Sequence, residues 1–314
     1  MSINLGLGLA LSAATAVFAG VYFIAVLDTL IADLVAGARW EWQHALRAPL
    51  HVAAYAFVQR NSSTERPDRA LWTMAPALLG ALAASVLVAV PLRSVHQSHE
   101  TSSGIVLIGA AMAMVMVAVY LHGWAANSVF SLIGAYRFVA QALSYEMPLA
   151  LVLIATALPA RSLALGDIVR SQAQVWNVVR QPLGLPLYLI AGLGLAFWGP
   201  MNTADGADLA GGTGAEISGM QRLSWQVARH AILFAVAALG AAAFLGGWLG
   251  PVLPGVLWLI LKTACLLALM ITAGHLFARV RLERFVTIAW IWLIPLALVD
   301  VFASGILTLL GARR

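Results

Sequence analysis

Apolar residues in this chain fall in long runs separated by short polar stretches, rather than at the spacing of a half-buried helix or strand. A helix needs about 20 mostly apolar residues to cross the hydrocarbon core of a bilayer. Eight runs predict spans at roughly 5–27, 71–92, 104–126, 138–159, 183–200, 227–248, 254–278 and 285–310. The fifth (GLPLYLIAGLGLAFWGP) is short and rich in glycine. The predicted fold is all-α, one integral membrane domain over residues 1–314 with eight transmembrane helices. No internal repeat is visible, which argues against the repeats of many secondary transporters.

Composition agrees. The 314 residues are 62% hydrophobic and 10% charged, where a soluble domain carries about 25% charged residues. The net charge of +5 does not point to nucleic acid. The arginines cluster in the short loops, as the positive-inside bias requires. Loops one, three, five and seven hold Arg39, Arg47, Arg60, Arg66, Arg69, Arg137, Arg222, Arg229, Arg279, Arg281 and Arg284, against Arg93, Arg161, Arg170, Arg180, Arg313 and Arg314 elsewhere. That bias predicts cytoplasmic odd loops, both termini on the outer side and a multi-pass protein of the plasma membrane. The N-terminal run lacks a basic leader and reads as a retained first helix. The single cysteine, Cys265, cannot form an internal disulfide or hold a cluster and reads as a small buried apolar residue. The seven histidines match no zinc signature and read as core or interface groups, and the eleven tryptophans fit belts at the membrane surfaces.

The candidate chemistry lies in polar residues inside apolar runs. Residues 121–153 (LHGWAANSVFSLIGAYRFVAQALSYEMPLALVL) carry Arg137, Gln141, Tyr145 and Glu146. A carboxylate at the centre of a span costs about 2.5–3.5 kcal/mol on insertion scales, so one that is kept is first read as part of a proton or ion path. Lys262 in the seventh span could pair with a carboxylate or give up its proton, and Asp300 in the eighth is a further candidate. Arg137 reads as a boundary marker at a helix start. Three loops add to this. In 28–70, Leu50, Ala53, Ala54 and Phe57 recur at helical spacing, as in a helix lying in the interface or packed on the bundle. The stretch 199–226 is rich in turn formers and holds Asp205, Asp208 and Glu216, and its plainest reading is a solvated loop. RVRLERF at 279–285 is a tight basic turn.

The segment 123–151 resembles the fourth-helix signature of the NuoH family, the membrane subunit that joins the two arms of respiratory complex I. The family pattern Gly-Trp-Ala-x-Asn, Gly-x-x-Arg and Gln-x-x-Ser-Tyr-Glu-x-Pro falls on Gly123, Trp124, Ala125, Asn127, Gly134, Arg137, Gln141, Ser144, Tyr145, Glu146 and Pro148. Similar matches are FLGGWLGP at 244–251, Leu261 with Lys262, Glu216 with Ser218, Gly219 and Met220, Asp208 with Leu209, and Arg279, Arg281 and Glu283 in the family's Arg-x-Arg-x-Asp turn. The departures fall on one side. VLDTLIADLVAGARW stands where the family has a basic segment, the fifth loop is short and lacks the family's arginine, and Gly274 stands where a base precedes Arg279 by five residues. The chain resembles a diverged paralogue.

The resemblance implies a membrane subunit of a proton-pumping NADH-quinone oxidoreductase with no redox centre of its own. It implies quinone as a substrate shared with partner subunits, no bound metal or flavin, and partners among the peripheral quinone module and the membrane arm. Glu146 would be the relay carboxylate with Tyr145 and Gln141 beside it. Asp205, Asp208 and Glu216 would face the cavity, Arg279, Arg281 and Glu283 would shape the docking surface beside it, and 45–58 would gate the quinone entrance. Two other readings stand: the membrane subunit of an ion-pumping hydrogenase-type complex, and a non-catalytic anchor for a peripheral arm.

Overall fold

The computed structural model describes residues 2–38, 41–92, 102–206 and 211–311. Asp208, Arg39, Arg93, His96, His99, Leu209 and the C-terminal arginines, Arg313 and Arg314, lie outside the described residues. Every regular element described is helical. In chain order these are α1 (Ser2–Val35), α2 (Trp42–Val58), α3 (Arg69–Ala89), α4 (Gly104–Ala125), α5 (Val129–Ala160), α6 (Leu165–Ser171), α7 (Asn177–Arg180), α8 (Gly184–Leu195), α9 (Gly219–Phe244), α10 (Gly255–Leu276), α11 (Leu282–Ile288) and α12 (Ile294–Gly311). A π-helical turn, Ala289–Leu293, joins the last two into one rod.

Among the described residues, seven helices are long and apolar enough to cross a membrane, and α8 is a short apolar helix at the place of the predicted fifth span. At 12 residues, α8 is only about 18 Å long, well short of a bilayer core of about 30 Å. Its glycines explain how it is held. A Cβ on Gly192 would stand 2.6 Å from Val236 of α9, and one on Gly194 would stand 2.9 Å from Tyr145 of α5. Small residues let helix backbones approach where lipid supplies no hydrophobic drive between them. After Leu195 the chain leaves the helix, with Phe197 at φ +39° and Gly199 at φ +53°. Non-helical backbone at this depth is tolerated only where protein covers it. Residues 196–198, 203–204 and 211–214 are accordingly buried.

The axial element is α9. Its run from Ala235 to Ala243, small residues apart from Val236 and Leu239, is buried throughout, so the neighbouring helices close around it. Gly20 of α1 meets the ring of Phe234, and Tyr188 of α8 packs beside Gly240 and donates its hydroxyl to the Val236 carbonyl at 2.7 Å. α2 lies on α1 and α9 through Ala45 and Ala56, while Leu50, Tyr55 and Phe57 remain exposed. An apolar face turned outward from a membrane bundle fits a helix lying in the interface, rather than one packed by that face on the bundle.

Three sequence expectations are corrected. Cys265 is exposed on α10, because it shares the outward face with Leu261 and Leu269 rather than the packed face with Lys262 and Leu266. Trp72 and Trp225 are buried inside the bundle, not in a surface belt. The described part of 199–218 is not a solvated loop: 203–204 and 211–214 are buried, and the Pro200, Ala204 and Gly211 carbonyls accept from Val280, Thr213 and Arg137.

Candidate functional site

The described part of 199–218 folds back against the first turns of α5 and α9. Gly134 of α5 makes this possible: a Cβ there would stand 2.6 Å from Gly212 Cα and 2.7 Å from the Ala204 carbonyl. The segment holds itself through the Thr213 amide, which donates to Ala204 at 2.9 Å. α5 holds it from one side. Arg137 donates to the Gly211 carbonyl at 3.1 Å, and Gln141 donates to Gly194 at 2.6 Å while its carbonyl accepts from Thr203. Ser128, just before α5, donates to the Glu216 carboxylate at 2.6 Å. The start of α9 is held from outside by the segment after α2. Gln59 and Asn61 accept the amides of Gly219 and Met220, and the Ser62 amide donates to Ser218. Gly219 needs no Cβ here, with φ +55° and Asn61 against its α-carbon.

α9 supplies the cation. Arg229 donates to Asp205 at 2.6 Å and to the Phe197 carbonyl at 2.7 Å. Its guanidinium lies 4.8 Å from the Trp198 ring and 5.1 Å from that of Phe197. Both partners of the ion pair are largely buried, at 13% and 15% side-chain exposure. At that depth the pair is worth far more than a surface bridge, and removing one partner leaves an uncompensated charge. Asp28 of α1 and Arg279 are the next charges felt by Arg229. Beside the pair is a cavity of about 90 Å3, lined by Asp205, Gly214, Arg222, Trp225 and Gln226 among others.

The candidate residues therefore divide. Arg137, Asp205 and Glu216 come together around the tucked segment. Tyr145 is fully buried deeper along α5, beside Gly194 and Phe138. Glu146 is half-buried next to it, with no hydrogen bond or ion pair among the described residues. Arg137 is not at a helix start: α5 begins at Val129, so Arg137 stands in its third turn and reaches to the loop. Arg279, Arg281 and Glu283 are exposed in the turn before and into α11, which is pinned to the site where the Val280 amide donates to Pro200 at 2.8 Å. Gly274 packs on this segment as well. A Cβ there would stand 3.2 Å from both Gly199 Cα and Trp198 Nε1, so the base that the resemblance places at that position would have to push this segment aside by a few tenths of an ångström.

Lys262 lies elsewhere. Its amine donates to the carbonyls of Gly247 at 3.1 Å and Leu249 at 2.6 Å, and sits 4.3 Å from the Trp176 ring. Among the described residues it pairs with no carboxylate, because the turn that ends α9 offers carbonyls first. From Arg229 to that turn is about 25 Å along the helix. Lys262→Met should lower the melting temperature of the assembled protein, since charge-assisted bonds contribute about 1.5–3 kcal/mol. The activity of the folded fraction should be unchanged. A large activity loss at unchanged melting temperature would contradict this.

Sequence reasoning misses Arg229, which counts there among the loop arginines. The signal is present, because an ionisable residue inside a predicted span is a candidate by default. Asp300 is 3% exposed and lies beside Gly184 at the start of α8, remote from the cavity in sequence and in packing.

Known proteins resemble this chain over most of its length. The NADH dehydrogenase family pattern matches residues 46–305. The chain is 32% identical to the second H-type subunit of NADH-quinone oxidoreductase from Rhizobium etli, over 86% of its length and 82% of that protein. It is 34% identical to the H-type subunit of NADH-quinone oxidoreductase from Anoxybacillus flavithermus, covering 76% of this chain and 73% of the relative. The corresponding protein of Bacillus cytotoxicus is 32% identical over 80% and 77% of the two chains. With a family match across most of its spans and a buried polar segment docked between α5 and α9, the chain belongs to the NADH dehydrogenase family that contains the H-type membrane subunits of NADH-quinone oxidoreductase.

Proposed function

We propose that this chain is the membrane subunit of a proton-pumping NADH-quinone oxidoreductase, forming part of the quinone chamber and linking quinone reduction to proton translocation. The observation that carries this reading is the described part of the polar segment 199–218, which is tucked between α9 and the helix that carries Tyr145 and Glu146, with Asp205 on Arg229 beside a cavity and Glu216 on Ser128 before α5. A quinone has an apolar tail and a polar head, so it must enter from the bilayer and end at a polar site. Its reduction creates charge in a low-dielectric place, which nearby ionisable groups feel strongly and answer together.

In this reading the chain is a translocase subunit without its own redox centre, and quinone is a substrate shared with peripheral subunits. Glu146 receives and passes protons, Asp205, Asp208 and Glu216 border the chamber, and α2 flanks the quinone entrance. Arg279, Arg281 and Glu283 form part of the docking surface for the peripheral arm, whose partners are the quinone module and the membrane-arm subunits. The odd loops face the cytoplasm across the plasma membrane, and both termini face out.

Glu146→Gln should assemble and still reduce quinone, with the number of protons moved per electron cut at least twofold. Full reduction together with full pumping would remove Glu146 from the path. A second reading, the membrane subunit of a hydrogenase-type complex, is favoured by one feature: Gly274 stands where the family pattern has a base. Subunits that co-purify in mild detergent separate the two. A nickel-binding large subunit with two Cys-x-x-Cys pairs would overturn the quinone reading.

A further inference from the structure

Four of the buried side chains with polar atoms that have no hydrogen-bond partner among the described residues lie on neighbouring helices: Nε1 of Trp72 and of Trp225, both ring nitrogens of His122, and Oγ of Ser131. Their exposures are 2%, 0%, 1% and 0%. They come from α3, α9, α4 and α5, and these helices meet here. The Asp68 amide before α3 donates to the Ala125 carbonyl ending α4 at 2.9 Å, with Trp72 and His122 each about one turn away. Gly123 lies against the carbonyl of Ser131. His122 stacks on Trp225, ring centroids 3.8 Å apart and planes 7° apart. Trp225 in turn lines the cavity beside Asp205.

The donor and acceptor inventory does not close within the protein. An indole only donates, a neutral imidazole donates once and accepts once, and a hydroxyl does both. His122 and Trp225 cannot satisfy each other, because in parallel rings each N–H runs in its own plane. Each unmade buried bond costs about 1–3 kcal/mol. Such groups are normally met by internal water making about three bonds, and one water needs only about 10–15 Å3 of space for its centre. The cavity of about 90 Å3 is ample for several. We propose that Trp72, His122, Ser131 and Trp225 hold internal water continuous with the cavity at Asp205, and that His122 is a proton-holding station on that water.

The chemistry balances without electron transfer. A protonated water gives its proton to the unprotonated ring nitrogen and becomes neutral, the proton on the other nitrogen leaves to the next water, which becomes the protonated one, and the imidazole returns to neutral. The intermediate imidazolium is stabilised over the face of Trp225. The charged groups that the packed elements bring to this end of the bundle are Asp68 just before α3 and Arg69 of α3, Arg137 of α5, Arg222 and Arg229 of α9, and Asp205 and Glu216 of the tucked segment. Asp205 and Glu216 already accept from Arg229 and Ser128, which leaves His122 as the titratable group here with two free nitrogens.

The station, though not the water, rests on the proton-moving function proposed above, so two readouts are needed. The first is a map of the assembled complex at a resolution that shows ordered water. Water is expected within about 3.2 Å of Nε1 of Trp225 and Trp72 and of a His122 nitrogen. Dry packing around all three would overturn the proposal. The second is His122→Phe, which keeps the ring stack and removes both nitrogens. Protons moved per electron should fall at least twofold while quinone reduction stays within about twofold of the parent. An unchanged ratio would overturn the station. A parent complex that reduces quinone without moving protons would overturn the proposed pumping and the station together, while the map still decides the water.

Discussion

Arg229→Met will cut the yield of assembled complex by more than tenfold, and adding Asp205→Asn to it will restore most of that yield. The argument is electrostatic. The Arg229–Asp205 pair is largely buried, with one oxygen at 2.6 Å and a second guanidinium nitrogen on the Phe197 carbonyl. Breaking such a pair from one side costs about 3–5 kcal/mol, because the surviving charge stays where water cannot reach it. Neutralising both sides removes that penalty and leaves the lost bond to the Phe197 carbonyl and the lost contacts with the Phe197 and Trp198 rings. The measurement is the amount of intact complex recovered in mild detergent for the parent, the two single variants and the double variant. A double variant as poor as the sum of the singles would show that the two charges do not act as a pair. Raising the salt concentration should change the parent little, because buried pairs are screened much less than exposed ones.

Gly134→Val will displace the tucked segment. Its Cβ would meet the backbone of Gly212 and Ala204 at 2.6–2.7 Å, and backbone cannot swing aside as a long side chain can. Overpacking a close contact costs about 1–3 kcal/mol, and more when the neighbour is rigid. Moving the segment also pulls Thr203 from Gln141 and Gly211 from Arg137, so the loss spreads through the polar network. Quinone reduction should fall at least tenfold in whatever assembles, and proteolysis between 199 and 218 should become fast. Gly80→Val is the control: nothing lies within 4 Å of a Cβ at Gly80, and it should behave like the parent. Equal behaviour of the two variants would mean that the close approach at Gly134 does not hold the segment.

Much of the site is legible in the sequence. The polar residues of α5 stand out because each is costly in hydrocarbon, and Arg137, Gln141 and Tyr145 are all placed against other protein. Glu216 and Asp205 read as acids of the fifth loop, and both take partners in the site. Other features are hidden for physical reasons. Arg229 is lost among loop arginines, since one residue at the edge of an apolar run reads equally as a topology signal or as a buried charge. Lys262 looks like a carboxylate partner, because a sequence does not show that carbonyls end the neighbouring helix beside it. His122 and Trp225 are ordinary members of their residue classes until stacking places them together.

The long apolar runs alone committed this chain to a bundle of membrane-crossing helices, since no other arrangement of such runs satisfies backbone groups in lipid. The same runs set where the costly polar residues would be noticed. Packing alone settled which of those residues meet. Whether a twelve-residue glycine-rich helix ends short of the membrane surface, whether the chain beyond it turns inward, and which cation then answers Asp205 all depend on close contacts between residues far apart in the chain. Those contacts follow from shape and from the missing side chains of Gly134, Gly194, Gly199 and Gly274, and no local pattern of hydrophobic and polar positions encodes them.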